Sequence, residues 1–185
     1  MGASVPRPRS RELPAAPRAA ERNPSLGAVF RAHSARVARL ASRLGGPRIE
    51  VEDVVQDVFL VLARREPVFE NEAALAAWLG RTTAHVVRNH RRRAWFRRVL
   101  LGAEEPVSSY PSALETIERR RATAVVYEIL DAMPERHRVP FVLFELEGMS
   151  GEEIAAITGA RVGTVWVRLH RARAEFAARL ARRKP

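Results

Sequence analysis

The chain has no cysteine, which excludes disulfides, thiolate catalysis and cysteine-ligated zinc. Its five histidines, His33, His85, His90, His137 and His170, fall at no spacing that suits a metal. No metal and no organic cofactor is therefore expected. Aromatic residues make up only 6% of the chain, against abundant Ala, Leu, Val and Arg, and that composition favours helices joined by short turns over sheets. No apolar run is long enough for a membrane span. The first residues, MGASVPRPRSRELPAAPRAAERNP, are basic but lack the apolar segment of a signal peptide. A cytoplasmic protein without direct membrane insertion is the expectation.

Acid is missing from one stretch in particular. Residues 81 to 98 carry seven arginines and no Asp or Glu, and residues 161 to 185 carry eight basic residues against Glu175 alone. Between them lies an acidic stretch, so the net charge of +11 is concentrated in two separate basic zones. Two nucleic-acid contact surfaces on two modules would produce that pattern. Two solvated helix faces would produce it as well. At 185 residues the chain suits one medium domain or two small ones.

Residues 1 to 22 are rich in Pro, Arg and Ala without periodicity and read as a disordered extension. Asn23-Pro24-Ser25 offers a helix start, and Val29, Phe30, Val37, Leu40, Ala41 and Leu44 keep helical spacing up to Gly45-Gly46-Pro47. A second helix is predicted from about Glu50 to Arg64. A third follows Asn71, a capping residue, and runs to about Arg93. GAEEPVSSYPS, from Gly102 to Ser112, reads as an interdomain linker. Helices resume from Ala113 to Ala132 and from Pro134 to Glu147, the latter bent by Pro140 and closed by Gly148. The fold class expected is all-α, two small helical domains joined by a flexible linker.

The C-terminal text MSGEEIAAITGARVGTVWVRLHRARAEFAARL has the layout of a helix-turn-helix. Ser150 and Glu153 form a capping box, and Gly159 permits the tight turn. Projected at about 100° per residue, Val165, Leu169, Ala172, Phe176 and Leu180 form one apolar stripe. Thr164, Val167, His170 and Arg171 fall opposite, with Trp166 and Arg168 on the flanks. The N-terminal half of such a helix enters the major groove, where Arg pairs with guanine or phosphate.

In the N-terminal half, EDVVQDVFLVL separates two faces. Val54, Val55, Val58, Phe59 and Leu62 are core positions, whereas Asp53, Gln56, Asp57 and Leu60 share a face that suits a protein partner better than DNA. The third helix sets Trp78, Leu79, Thr82, Val86 and Val87 inward. Its polar side carries Arg81, His85, Arg88, Asn89, Arg92 and Arg93, the amide and guanidinium groups that single-stranded DNA requires, with Trp95 and Phe96 as further aromatics.

Together, EDVVQDVFL, AALAAWLGRTTAHVVRNHRRR and the stretch from Met133 to Arg173 resemble the bacterial sigma-70 family, and within it the extracytoplasmic-function (ECF) group. The resemblance covers most of the chain in the family's order. It implies a non-catalytic specificity subunit that binds the beta and beta-prime subunits of core RNA polymerase and directs promoter recognition, DNA melting and transcription initiation. Its parts would be an extension (1–22), a sigma-2-like domain (23–98), a linker (99–112) and a sigma-4-like domain (113–185). By position, Asp53, Gln56, Asp57 and Leu60 would bind polymerase. Phe69, Asn71, Trp78, Arg81, His85, Arg88, Asn89 and Arg92 would hold the minus-ten element, where pocket contacts must offset the cost of flipping a base. Thr164, Trp166, Val167, Arg168, His170 and Arg171 would read the minus-thirty-five element. An anti-sigma factor is a further implied partner. His85 stands where the family often has Asn, and Trp166-Val167 replaces a commoner basic-plus-small pair.

A stand-alone helix-turn-helix regulator remains the alternative, and it leaves the Asp53 face unused. A processing enzyme would need a paired-carboxylate, Walker or nucleophile–base arrangement, and none stands out. With two basic zones as contact surfaces, the affinity of the isolated protein for DNA should fall steeply as salt is raised. A titration by fluorescence anisotropy across a salt series checks this, and a flat response would count against both zones.

Overall fold

The computed structural model describes residues 24–101 and 117–183. The N-terminal extension and most of the expected linker lie outside the described residues. All regular structure among these is helical: α1 (Leu26–Gly45), α2 (Val51–Arg65), α3 (Glu72–Leu101), α4 (Ile117–Asp131), α5 (Glu135–Phe141), α6 (Gly151–Thr158) and α7 (Val162–Ala181). A 3-10 turn spans Gly46–Arg48 and a π-helical segment spans Val142–Leu146.

The helix starts follow from capping. Ser25 caps α1 by accepting a hydrogen bond from the Ala28 amide at 3.3 Å, so the cap falls at the end of the expected Asn-Pro-Ser start. Asn71 caps α3 by accepting from the Ala74 amide at 2.9 Å. At α6, the Ser150 hydroxyl accepts from the Glu153 amide at 3.2 Å while the Glu153 carboxylate accepts from the Ser150 amide at 2.8 Å. Gly159 then turns the chain at a φ of 68°, a left-handed conformation that other residues adopt at a cost.

Two expectations need correction. Helix α3 continues past Arg93 to Leu101, so residues 99–101 are helix rather than linker. Nothing between Arg81 and Leu101 breaks a helix, and Gly102 is the first residue that favours stopping. The helix expected from Pro134 to Glu147 is instead α5 followed directly by the π segment. Pro140 removes a backbone donor within α5, and the ladder then widens: the Glu147 amide reaches Val142 O at 3.2 Å, five residues back.

Helices α1, α2 and α3 pack around Val37, Leu40, Leu44, Val54, Val58, Leu79 and Val86. Phe30, expected inside, is 45% exposed, with its ring edge-on to Phe59 at 4.8 Å. Thr83 is fully buried although it is polar, and it satisfies itself by donating to Leu79 O at 2.7 Å. The second group packs around Ile129, Leu130, Leu143, Ile154 and Leu169, with α5 and α7 stacked through Phe141 and Phe176. Val165, Leu169 and Ala172 are buried as the apolar stripe predicts, whereas Leu180 at its end is exposed. One contiguous apolar cluster joins both groups.

Truncating Leu169 to Ala should cost about 2–5 kcal/mol by the cavity it leaves, and Ser150→Ala about 1 kcal/mol by the lost cap, both measured by urea unfolding. Between α5 and α7, burial alone would raise the Glu175 carboxyl, but hydrogen bonds from His137 and Arg179 outweigh it and hold the group below its usual range. A lowered carboxyl pKa adds stability above its unfolded value that is lost as pH falls through the folded value. Glu175→Gln should therefore destabilise the protein near neutral pH and flatten the acid limb of its stability profile.

Candidate nucleic-acid and polymerase interfaces

Helix α7 exposes the face that the sequence assigns to duplex DNA. Thr164, Val167, His170 and Arg171 all lie on the surface, Val167 at 51% exposure. Beneath them Val165 and Leu169 seat the helix on α6, so its rotation about its own axis is set by buried residues. Trp166 has a second role that the sequence does not reveal. Its ring sits edge-on to Phe144 at 5.5 Å, and a Cβ on Gly151 would lie 2.9 Å from the indole. Phe144 is in turn covered by the Arg173 guanidinium at 5.0 Å, which pairs with Glu145 at 2.7 Å. Trp166 therefore spans from the recognition face to the start of α6, still 45% exposed. Arg168 is half-buried and faces a cleft toward α3, away from the other predicted readers.

Helix α3 carries the second set. Phe69, in the loop before it, meets Trp78 edge-on at 5.8 Å, and both are half-buried against the core. Asn71 is occupied as the cap of α3. Trp78, His85 and Asn89 line a groove of about 590 Å³ between α2 and α3. Arg92 and Arg93 are exposed, and His85 Nδ1 sits 2.7 Å from Arg88 Nη2. Beyond them Trp95, Phe96, Val99 and Leu100 are exposed along the last turns of α3.

On α2, Asp53, Gln56 and Leu60 are exposed, Leu60 at 41%, over a core formed by Val54 and Val58. Asp57 is half-buried and bound to His90 Nε2 at 2.8 Å. The acidic face is thus adjacent to the groove between α2 and α3, which Asp57 and Leu60 also line.

Residues 29–97 match the family model described as Sigma-70 region 2, and residues 123–176 match the one described as Sigma-70, region 4. The chain belongs to the sigma-70 family. Within it the ECF group is supported by curated relatives. The ECF RNA polymerase sigma-E factor of Escherichia coli is 35% identical over 156 residues, covering 75% of this chain and 77% of that protein. The ECF RNA polymerase sigma factor SigE of Mycolicibacterium smegmatis is 32% identical over 86% of this chain, which spans 63% of that longer protein. Among solved structures, CnrH in complex with the cytosolic domain of CnrY superposes with a TM-score of 0.63 at 27% identity, covering 86% of this chain and 89% of that one. The sigma factor RpoE bound to the anti-sigma factor NepR, from Bartonella quintana, shares the fold at a TM-score of 0.60 and 23% identity, covering 85% of this chain and 98% of that one.

The two matched regions of this sigma factor contact one another. Arg91 donates to Gly45 O at 2.9 Å and reaches Asp131 at 2.7 Å, which also pairs with Arg48 at 3.2 Å. Glu147 lies 3.1 Å from Arg39 and 3.7 Å from Arg43. Arg81 donates Nε and Nη2 to Ala156 O at 3.2 and 2.6 Å. The sequence reading anticipates none of these pairings. Its only signal for them is a charge difference, an acidic stretch after the basic run of α3, which names no partners. Arg138 is buried among them, with its guanidinium pushed down to about 10 by burial and by nearby Arg91, against the pull of Asp131 and Glu135. Among the described residues no helix is long and apolar enough to cross a membrane.

Proposed function

We propose that this sigma factor binds core RNA polymerase through Asp53, Gln56, Asp57 and Leu60 on α2, and directs it to promoters with α3 and α7. The observation that carries this reading is the order of the two matched regions, each supplying an exposed face of the required chemistry. A carboxylate-and-amide face with one exposed leucine suits a protein partner, because a small apolar contact ringed by polar groups is what such interfaces bury. The stand-alone regulator is less favoured, since it gives residues 29–97 no role.

The proposed chemistry has two steps. Helix α7 would enter the major groove of the minus-thirty-five element. Thr164 lies near its N-terminus, where free backbone amides favour phosphate, and Arg171 and His170 offer donors to base edges. Val167 and the exposed edge of Trp166 offer apolar contact to thymine methyls, while Arg168 would contribute only from the flank. Melted minus-ten DNA would lie along α3. There Phe69 and Trp78 shape the pocket for an unstacked base, His85 and Asn89 supply hydrogen bonds, and Arg81, Arg88 and Arg92 neutralise phosphates. Asn71, engaged as a cap, would act by holding the loop that carries Phe69.

The rest of the assignment is that the chain divides into a sigma-2-like part near 23–98, a linker and a sigma-4-like part from about 113. It would have no catalytic activity of its own, act in the cytoplasm, and answer to an anti-sigma factor. The anti-sigma factor NepR bound to a protein of the same fold supports that last point. In transcription assays with purified core polymerase and a promoter library, the wild type should yield promoter-dependent transcripts. Asp53→Arg combined with Gln56→Ala should abolish them while leaving duplex binding within about twofold, because changes on exposed α2 positions remove contacts there and leave the distant face of α7 as it was. Undiminished transcription by the double variant would remove α2 from the polymerase interface.

A further inference from the structure

On the exposed face of α7, the side chain of Trp166 is held by groups from outside that helix. Its indole lies across Gly151 at the start of α6, where an added Cβ would come within 2.9 Å of Cζ2, 3.1 Å of Cε2 and 3.2 Å of Nε1. The rings of Trp166 and Phe144 meet edge to face at 73°, with centroids 5.5 Å apart. Phe144 is half-buried in the π-helical segment, and the guanidinium carbon of Arg173 lies 5.0 Å from the centroid of its ring. Glu145, the next residue of the same segment, accepts from Arg173 Nε at 2.7 Å. Seven residues separate Trp166 from Arg173, so the two lie almost in line along α7, two turns apart, and Phe144 touches both.

Each of these contacts takes freedom from the indole. A tryptophan turns about two side-chain bonds, and on an open helix surface it samples several staggered arrangements. Here the Gly151 backbone closes one side and Phe144 another, while the ring stays 45% exposed beside Val167, itself 51% exposed. Arg173 is engaged by Glu145 and by the Phe144 ring, so it braces the aromatic pair instead of offering its guanidinium to phosphate. An apolar group fixed before binding has little entropy left to lose on contact. In the major groove thymine presents a C5-methyl that uracil lacks, and a fixed apolar edge discriminates that methyl better than a mobile one.

Resting on the assignment of α7 to duplex DNA, we propose that Phe144, Glu145, Gly151 and Arg173 form a clamp that makes Trp166 a fixed reader of a thymine methyl in the minus-thirty-five element. Phe144 and Gly151 are positioning residues: both act through the indole and neither touches the DNA. The π segment supplies one of them and the start of α6 the other, so a base preference expressed on α7 is set by two elements that precede it. The glycine is required at position 151 because the indole occupies the space of a side chain there.

Exchanging thymine for uracil removes the methyl and leaves base pairing as it was, which isolates the contact. The full-length protein, assembled with core polymerase, is titrated with promoter fragments recovered by transcription. At one thymine of the minus-thirty-five element the exchange should weaken wild-type binding about three- to fourfold, the worth of one buried methyl group. Phe144→Leu keeps an apolar side chain but loses the ring that meets the indole, and Gly151→Ala inserts a Cβ where the indole lies. Both variants should bind the uracil fragment within about twofold of the wild type, since only the methyl contact is lost. Neither should prefer thymine, and Trp166→Ala should behave alike. Circular dichroism melts establish that each variant is folded, and a purely structural role would lower affinity for both fragments equally. Such an equal loss, or a thymine preference retained by either folded variant, overturns the clamp. So does a wild type indifferent to every exchange, or a recovered element without thymine. If the wild-type complex binds the promoters as well when the minus-thirty-five element is scrambled, the assignment of α7 to duplex DNA falls, and the clamp with it.

Discussion

Arg91 stands where the two halves of the molecule meet, and much of the arrangement depends on how its guanidinium is satisfied. It lies in a run of seven arginines without an acid, on a helix whose other face must be buried. An exposed guanidinium stays in water at little cost, but one at a packed junction needs acceptors in the right directions. Gly45 O, where α1 passes into the 3-10 turn, provides one, and Asp131 at the end of α4 provides the other. A cation near the C-terminal ends of two helices is also favoured by their dipoles. The contact that fixes α3 against α1 thus recruits α4, and with it the whole region 4 half.

The helix-turn-helix follows a different logic. There the capping box, the left-handed Gly159 and the stripe of Val165, Leu169 and Ala172 are all local or nearly so, and each agrees with the others. Such agreement between levels leaves little freedom in how α7 is presented. Trp166 adds a longer reach. Its indole lies on a backbone position that only glycine leaves open, so the recognition face and the start of α6 move as one unit. That ties the angle at which α7 meets a groove to the helix preceding it.

How much of the molecule is legible in the sequence divides along the same line. Amphipathic spacing locates α1, α2, α6 and α7 within a residue or two, and the exposed face of α7 emerges as projected, with Arg168 half-buried on its flank. The end of α3 escapes that reading because a change in side-chain polarity mimics a change in backbone structure, which arginine and leucine do not require. Phe30 lies further out than its spacing suggests because periodicity says which side of a helix a residue is on, not whether a neighbour covers it. The π segment after Pro140 follows from where the removed donor leaves the ladder, which spacing alone cannot express. The contacts between the halves are invisible for a deeper reason: Arg39 and Glu147, or Arg81 and Ala156, are far apart in the chain and carry no local pattern.

What those long-range contacts are made of determines how readily they come apart. Part of the junction is apolar, with Gly80 packed on Ile157 and one contiguous cluster running through both groups, and that part is held by transfer from water and responds little to polyanions. The rest is carboxylates and a carbonyl on guanidiniums: the Glu147 and Asp131 side chains are largely buried, at 5% and 12% exposure, whereas Arg39 and Arg43 stay well exposed, so salt screens these pairs only in part. One buried group works against this packing rather than for it. Arg138 is desolvated and lies near Arg91, a like charge from the other half, so its guanidinium adds cost rather than attraction there. The arginines that Glu147 and Asp131 hold, Arg39, Arg43, Arg48 and Arg91, are not those assigned to phosphates on α3, so the junction and a bound strand would draw on different guanidiniums.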